Sequence, residues 1–567
     1  MKVKLEKTKG CSGMVWEKLE TVKLQKKYVT DSIGTAWKLW SHRRAIILKC
    51  QTGEGKTTFV EDVIVKDAIA KGKKILIVSN RLSQSVANKK RLLDMYQIKN
   101  VWSDEGLRIQ SYFGPHIVIV TYQKLFHMIQ SIDAKDFEYA VFDEMHYFTS
   151  DATFSAITGA LLKQIPNKFR ESKRIYISAT PEEVIPFIVK AETNKYATAG
   201  YKIHHILRGP CCNVSAPDDV NQREAVVREM TYATNEPLPI MYYSNENYKY
   251  LKVQFFEDFE VIKQKIISSN EKWIVFVTSK EFGQELSKSL EDCIYVDAET
   301  KEEDSNKFLD LIEKETFDAK VLVCTSVFIN GNNIKDSNVK NIVIFHTNIC
   351  DIKQAIGRKR VFDKKKEVVN VFLHIPEIST LTCRINRNLM ILEKHAVSLD
   401  APKDFSNMIL HDEEVRKMVK KMIYPQENGS YAFNYLTVEK LNNDIFYMDK
   451  IKNMIAKDKA LYVKHIAKEF SLPYRKSMCK LLVDGRAVIE TKLDEFVKMS
   501  PVSKEAFKKI SQEITALRRE FKFISDSDNF GENRPPLDCN AFNARLKEFS
   551  FKFKVIKSGE DYFCLKL

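Results

Sequence analysis

From about residue 45 to 190 the chain alternates short apolar runs with stretches of helical periodicity. The apolar runs are RAIILKC, KKILIVSN, HIVIVTY, YAVFDE and RIYISAT. Each is rich in β-branched and aromatic residues and ends in a polar cluster. Continuous apolar strands separated by helices predict a parallel sheet covered on both faces. In such sheets ligands bind at the carboxyl ends of the strands, where these polar clusters lie.

The pattern fades between about Thr193 and Asn247, then returns with KWIVFVTS, CIYVDAE, KVLVCTS, NIVIFHT and VVNVFLH. This predicts a second α/β unit ending near residue 375. The remainder is lysine-rich and mostly helical in rhythm. LYVKHIAKEFSLPYRKSMCKLLVDGRAVIE reads as helix, short turn, second helix, then strand. The chain ends as a helix, NAFNARLKEF, and two strands around Ser558 and Gly559, a turn pair. Helix plus hairpin suggests a winged-helix-like module, with a small α+β accessory domain as the alternative. The expected organisation is a basic segment over 1–27, a first α/β domain over 28–200, and a connector over 201–240. A second α/β domain then spans 241–375 and an accessory helical region 376–567.

Composition adds a partner class. The formal net charge is +15 and the pI about 9.0, with Lys and Arg spread along the whole chain. A distributed positive charge favours a polyanion, most simply nucleic acid. Apolar residues make up 44% and no run reaches the roughly 18 needed to cross a membrane, so no membrane partner is expected. The N-terminus lacks a signal-peptide core, and a cytoplasmic location is expected. Eleven cysteines occur without a C-x-x-C or a neighbouring His set. Zinc and a disulfide framework are therefore not expected, and reduced thiols are.

Two stretches carry chemistry. LKCQTGEGKTTF follows the first apolar run and nearly matches the phosphate-loop pattern G-x-x-x-x-G-K-[ST], with Cys50 where the first glycine belongs. Gly53 and Gly55 allow backbone N–H groups to approach phosphates, and the following helix adds partial positive charge. Lys56 suits the β- and γ-phosphates and Thr57 a Mg²⁺ ion. The loop as a whole, Thr52, Gly53, Glu54, Gly55, Lys56, Thr57 and Thr58, is the expected nucleotide cradle. In YAVFDEMHYF, Asp143 and Glu144 follow a strand directly. Asp143 would hold Mg²⁺ and Glu144 would polarise the attacking water, the two tasks phosphoryl transfer requires.

In order, CQTGEGKT, ILIVSNRLS, IVTYQKL, DEMH, SAT, WIVFVTSKEFGQEL, VLVCTSVFINGNNI and QAIGRKR resemble motifs I to VI of superfamily 2 helicases of the DEAD/DEAH-box class. The resemblance covers Ile46 to about Val361 and leans toward a bacterial or phage type. It implies two tandem RecA-like parallel-sheet domains with ATP and Mg²⁺ between them. It also implies that Gln354, Arg358 and Arg360 face the phosphate loop from the second domain. His146, Ser178 and Thr180 would couple nucleotide state to that domain, and Gly331 would allow close backbone approach. Asn80, Arg81 and Thr121, with Thr278, Ser279, Lys280 and Thr325, would hold nucleic acid; each has helix capping as its alternative.

Two departures stand out. Cys50 replaces the opening residue of motif I, a position where the family tolerates small residues. Motif VI has Arg360 and Val361 where the commonest pattern puts Arg at position 361, a displacement of about 100° on a helix; some superfamily 2 branches carry Q-x-x-G-R-x-R, and the departure is read as a branch marker. Upstream, Gln25, Tyr28 and two tryptophans could meet adenine or could pack the outside of the sheet, and packing is the expectation. The expected activity is an ATP-dependent helicase or translocase on DNA, with RNA as the other substrate. The alternatives are a nucleotide-gated DNA-binding protein and a duplex translocase subunit that does not unwind. Partner proteins are not specified by the sequence.

Overall fold

The computed structural model describes residues 19–193 except 81, 237–297, 311, 314–325, 333–426 except 362 and 365, 429–482, 485–520, 538–548 and 551–567. All ten apolar runs become strands. The first sheet contains β1 (Glu20–Lys23), β2 (Ile46–Lys49), β3 (Lys74–Ser79), β4 (Tyr112–Phe113), β5 (Ile117–Thr121), β6 (Phe137–Phe142), β7 (Lys173–Ser178) and β8 (Ile240–Tyr243). Its order is β1-β8-β2-β7-β6-β3-β5-β4, parallel except for the β4–β5 pair. Both faces are buried. Ile47, Leu76, Val118, Ala140 and Tyr176 point into one core cluster, and Ile46, Ile75, Ile119, Val141 and Ile177 into the other. This period-2 split of an unbroken apolar run is what a doubly covered sheet requires.

The second sheet contains β9 (Leu251–Phe256), β10 (Lys272–Phe276), β11 (Cys293–Val296), β12 (Val321–Cys324), β13 (Val339–Ile344) and β14 (Val369–His374). Its order is β11-β12-β10-β13-β14-β9, with parallel pairing from β11 through β14. The fold class read from the sequence is the observed one: two RecA-like parallel sheets followed by a helical region.

The structure draws the domain limits differently. β1 lies in the expected basic segment, and β8 straddles the expected start of the second domain, yet both extend the first sheet. Each strand is only four residues long, too short a pattern to register in the sequence. Most of the connector, the first 18 residues, Arg81 and Gly331 lie outside the described residues.

The accessory region divides. Residues 376–479 belong to the compact unit that holds both sheets, and residues 256–259 with 480–567 form a second unit. In the first unit, helix Ile378–Asp400 continues from β14 and packs along helix Tyr435–Lys457 around Ile391, Phe405, Phe433 and Leu441. Asn434 caps the latter helix and ties it to the first domain. Its side chain donates to Ser155 O (3.1 Å) and Thr158 Oγ1 (2.7 Å) and accepts from Gly159 N (3.2 Å). A Cβ on Gly159 would stand 2.3 Å from Asn434 Oδ1 and 2.8 Å from the Tyr435 ring. Gly159→Ala is therefore expected to cost about 1–3 kcal/mol by overpacking, measured as a lower urea midpoint.

The second unit contains helices Gly485–Met499, Lys504–Glu520 and Cys539–Glu548 and the antiparallel hairpin β15 (Phe553–Ser558) and β16 (Asp561–Lys566). Its core is Leu493, Phe496, Phe507, Ile514, Phe542 and Val555, with Tyr562 stacked on Phe507 at 4.3 Å. GRAVIE, read as a strand, lies in the first of these helices. Ile489, Leu493 and Phe496 make a helical stripe in that core, and the isolated run could not reveal it.

Candidate active site

The phosphate loop joins β2 to helix Lys56–Phe59. Gly53 (φ 89°) and Gly55 (φ 77°) occupy the left-handed region that favours glycine. Cys50 needs no such freedom. Its side chain is 1% exposed and joins the core with Phe59, Ile175 and Ile177, so it turns away from the loop's concave side. Burial pushes its thiol up to about 12, which keeps it protonated. Lys56 Nζ donates to Cys50 O at 2.6 Å and Gln51 O at 3.4 Å, closing over the loop's own carbonyls. Thr52 is half-buried and Thr58 exposed on the helix.

Two loop side chains have roles that the motif alone did not reveal. Glu54 accepts from Gln51 N (2.8 Å) and from the Ser244 hydroxyl, and burial raises its carboxyl above the usual range. Gln51 exchanges hydrogen bonds with the Asn247 backbone (3.2 and 3.4 Å) and accepts from Lys364 Nζ (2.5 Å). The interdomain segment after β8 and the second domain thus both brace the loop. Tyr28 lies beside the loop: a Cβ on Gly55 would be 3.6 Å from its ring. Trp40 packs inward on Phe59 and Tyr242.

Asp143 and Glu144 leave β6 in a tight turn. Glu144 has φ 51°, a left-handed conformation that a non-glycine residue adopts at some cost. Asp143 Oδ1 accepts from Glu144 N (3.0 Å), and Asp143 O accepts from the Tyr122 hydroxyl (2.9 Å). Burial and the Glu144 charge hold the Asp143 carboxyl above the usual carboxylate range. Burial acts on Glu144 the same way, but His146, Lys56 and Arg358 together outweigh it and hold its carboxyl below the usual range. Thr57 and Asp143 line one small cavity with Glu61 and Val141. A hydroxyl and a carboxylate are hard oxygen donors of the kind Mg²⁺ takes together with phosphate oxygens and water.

A hydrogen-bonded path leaves Glu144 for the second domain. His146 Nδ1 stands 3.3 Å from Glu144 Oε2 and 3.1 Å from Ser178 Oγ. Ser178 Oγ accepts from Thr180 N (3.1 Å), and Thr180 Oγ1 accepts from Gln354 Nε2 (3.0 Å). Gln354 lies on helix Ile349–Arg358 of the second domain, and Arg358 Nε donates to Gln354 O (3.3 Å). The same interface carries Asn348 donating to Glu183 (3.0 Å) and Lys353 paired with Glu246 (2.6 Å).

The motif VI departure resolves here. The helix ends at Arg358, and Lys359 takes an extended conformation (φ −72°, ψ 111°). Ile334 N donates to Arg358 O (2.7 Å) and Arg360 N to Ile334 O (2.8 Å), a strand-like exchange. In extended backbone, residues two apart face the same side, so the 100° displacement does not arise. Arg358 and Arg360 both line a cleft of about 570 Å³, open solvent included, with Thr52, Gly53, Glu144, Thr180 and Gln354. A Cβ on Gly53 would lie 4.0 Å from Arg360 Nη1, a buried nitrogen with no hydrogen-bond partner. Burial, then the charge of Arg358, pushes the Arg360 guanidinium down to about 10.

The expected nucleic-acid residues divide by environment. Thr121 and Ser279 cap the helices that follow them, accepting from Lys124 N and Phe282 N. Asn80 is 2% exposed, and neither side-chain polar atom has a partner. Thr278 is exposed, Lys280 half-buried and Thr325 buried, all at carboxyl ends of strands of the second sheet.

Residues 34–186 match the DEAD/DEAH box helicase family model, and residues 257–360 match the helicase conserved C-terminal domain. The chain thus carries the paired domains of a superfamily 2 helicase, and these support ATP-dependent helicase activity on nucleic acid. No curated protein matches it at the sequence level. Among solved structures it is similar to S. cerevisiae Dbp5 bound to RNA and ADP BeF3, at 13% identity and a TM-score of 0.41, covering 71% of this chain and 89% of that one. It is also similar to Mss116p bound to ssRNA and AMP-PNP, at 14% identity and a TM-score of 0.41, covering 88% and 99%.

Proposed function

We propose that this protein hydrolyses ATP with Mg²⁺ in the cleft between its two sheets and uses the cycle to move along DNA and separate its strands. The observation that carries the reading is the pair Arg358 and Arg360. Arg358 is buried and Arg360 half-buried, its Nη1 fully enclosed, beside a phosphate loop, and neither has an ion-pair partner among the described residues. A buried cation requires an anion, and a triphosphate on the loop supplies one. Lys56 would release its loop carbonyls and turn to the β- and γ-phosphates, while Glu144 orients the attacking water. Bound Mg²⁺, held by Thr57 and Asp143, would neutralise charge on the phosphate oxygens. The His146–Ser178–Thr180–Gln354 path would carry the state of that site across the cleft.

The unpartnered Asn80 and the polar strand ends of the second sheet support a phosphate track. DNA is favoured by the three-helix-plus-hairpin unit, the element set of a duplex-contacting module. The cytoplasm is the proposed location, a reducing compartment suited to a chain whose described cysteines are free thiols. The test is ATP turnover with single-stranded DNA, duplex DNA or RNA as activator, with Lys56→Ala as control. DNA should stimulate the wild type and leave the variant silent. Stimulation by RNA alone would overturn the DNA assignment. Equal rates for wild type and variant under every activator would overturn the motor.

A further inference from the structure

We infer that the carboxyl edge of the second sheet carries a base-stacking platform for single-stranded nucleic acid, built by Phe282, Phe345 and His374 and flanked by Arg384. The inference rests on the reading of the chain as a nucleic-acid motor and adds to it a contact with the bases themselves.

The three rings come from neighbouring positions on one edge. β10, β13 and β14 lie side by side. Phe345 directly follows β13, and its N–H donates to Phe276 O at the end of β10 (3.0 Å). His374 ends β14, and Phe282 sits in the first turn of helix Lys280–Lys288 after β10. Phe345 meets Phe282 edge-on, with centroids 5.0 Å apart, and His374 at 5.0 Å and 35°. All three are half-buried, not sealed in the core. Most other aromatic residues of this sheet are enclosed: Trp273, Phe276 and Phe372 are 3%, 0% and 5% exposed. A ring cluster left partly open at a strand end offers π-faces that any base can meet.

The charge beside the rings matches a polyanion. Arg384, on the helix that leaves β14, donates to the exposed Thr278 hydroxyl at 3.4 Å. It has no ion-pair partner among the described residues, and burial alone lowers its guanidinium from the usual value. The carboxylate at this edge, Glu281, accepts from the Ser279 hydroxyl (2.6 Å) on the helix cap. Arg384 and Thr278 would therefore hold a phosphate while the adjacent rings take its base. Arginine beside stacked aromatics is how sequence-independent single-strand sites combine grip with tolerance of any base. None of the three rings nor Arg384 lines the cleft that holds Arg358, Arg360 and the phosphate loop, so altering them should spare basal turnover.

The test uses the full-length protein and a labelled single-stranded DNA, its RNA counterpart, and versions of both carrying abasic sites. Phe345→Leu keeps apolar volume but removes the π-face, and Arg384→Gln removes the charge. Wild type should bind the base-bearing strand about tenfold more tightly than the abasic one, as expected for one stacked base. Phe345→Leu should erase that difference. Arg384→Gln should weaken binding to every strand and lower the salt slope by about one. Unchanged basal ATP turnover and circular dichroism would show that both variants fold. Retained base discrimination in a folded Phe345→Leu overturns the platform while leaving the motor intact. A wild type that binds no strand at all overturns the motor reading instead.

Discussion

Glu144→Gln should lower ATP turnover by about 10²- to 10⁴-fold, the usual worth of a positioned general base, while nucleotide affinity stays near that of the wild type. Glutamine keeps the shape and can still accept from His146, so the path to Ser178 and Thr180 survives. What is lost is the negative charge. That charge is maintained by His146 at 3.3 Å and sits in a left-handed turn that aims the side chain into the cleft beside Arg358. The check is a pair of measurements, steady-state turnover and equilibrium binding of a fluorescent nucleotide. Equal loss of both would mean that Glu144 holds the nucleotide and does not orient water.

Arg360→Ala should be comparably severe, about 10³-fold in turnover, as for other arginines that meet a transferring phosphoryl group. Lysine should rescue little, because an ammonium cannot reproduce the planar donor fork. The two arginines differ in what surrounds them. Arg358 is anchored to Gln354 O, whereas Arg360 Nη1 is buried without any partner. Removing Arg360 therefore relieves an unpaired charge in the nucleotide-free protein. Resistance of that form to urea should hold or rise even as activity collapses. A variant that keeps wild-type turnover would show that Val361, and not Arg360, marks the functional position of this segment.

Most of the chemistry at single strand ends was legible from local pattern. The run before CQTGEGKT is apolar because β2 is covered on both faces, and the glycines that need positive φ are Gly53 and Gly55. DEMH follows β6, and SAT straddles the end of β7, for the same reason. Other features had no local signature. Gln51 looks like filler within a loop, yet it bonds to Asn247 and, across 313 residues, to Lys364. Tyr248 and Tyr250 fall at the start of the expected second domain, ahead of its first apolar run, and prove to line the cleft. β1 and β8 were missed because four-residue strands carry little periodicity, and GRAVIE was misread because its burial depends on Phe507 and Phe542.

The sequence by itself determined two doubly covered parallel sheets and the residue types at their carboxyl ends, because side-chain period and glycine placement are local properties of the chain. The tertiary structure decided what those residues face. It turned Cys50 into the core, and it ended the Arg358 helix so that Arg360 enters the cleft beside Arg358. It also joined Thr180 to Gln354 across 174 residues. Such meetings are set by the packing of one sheet against another, and no window of sequence contains both partners.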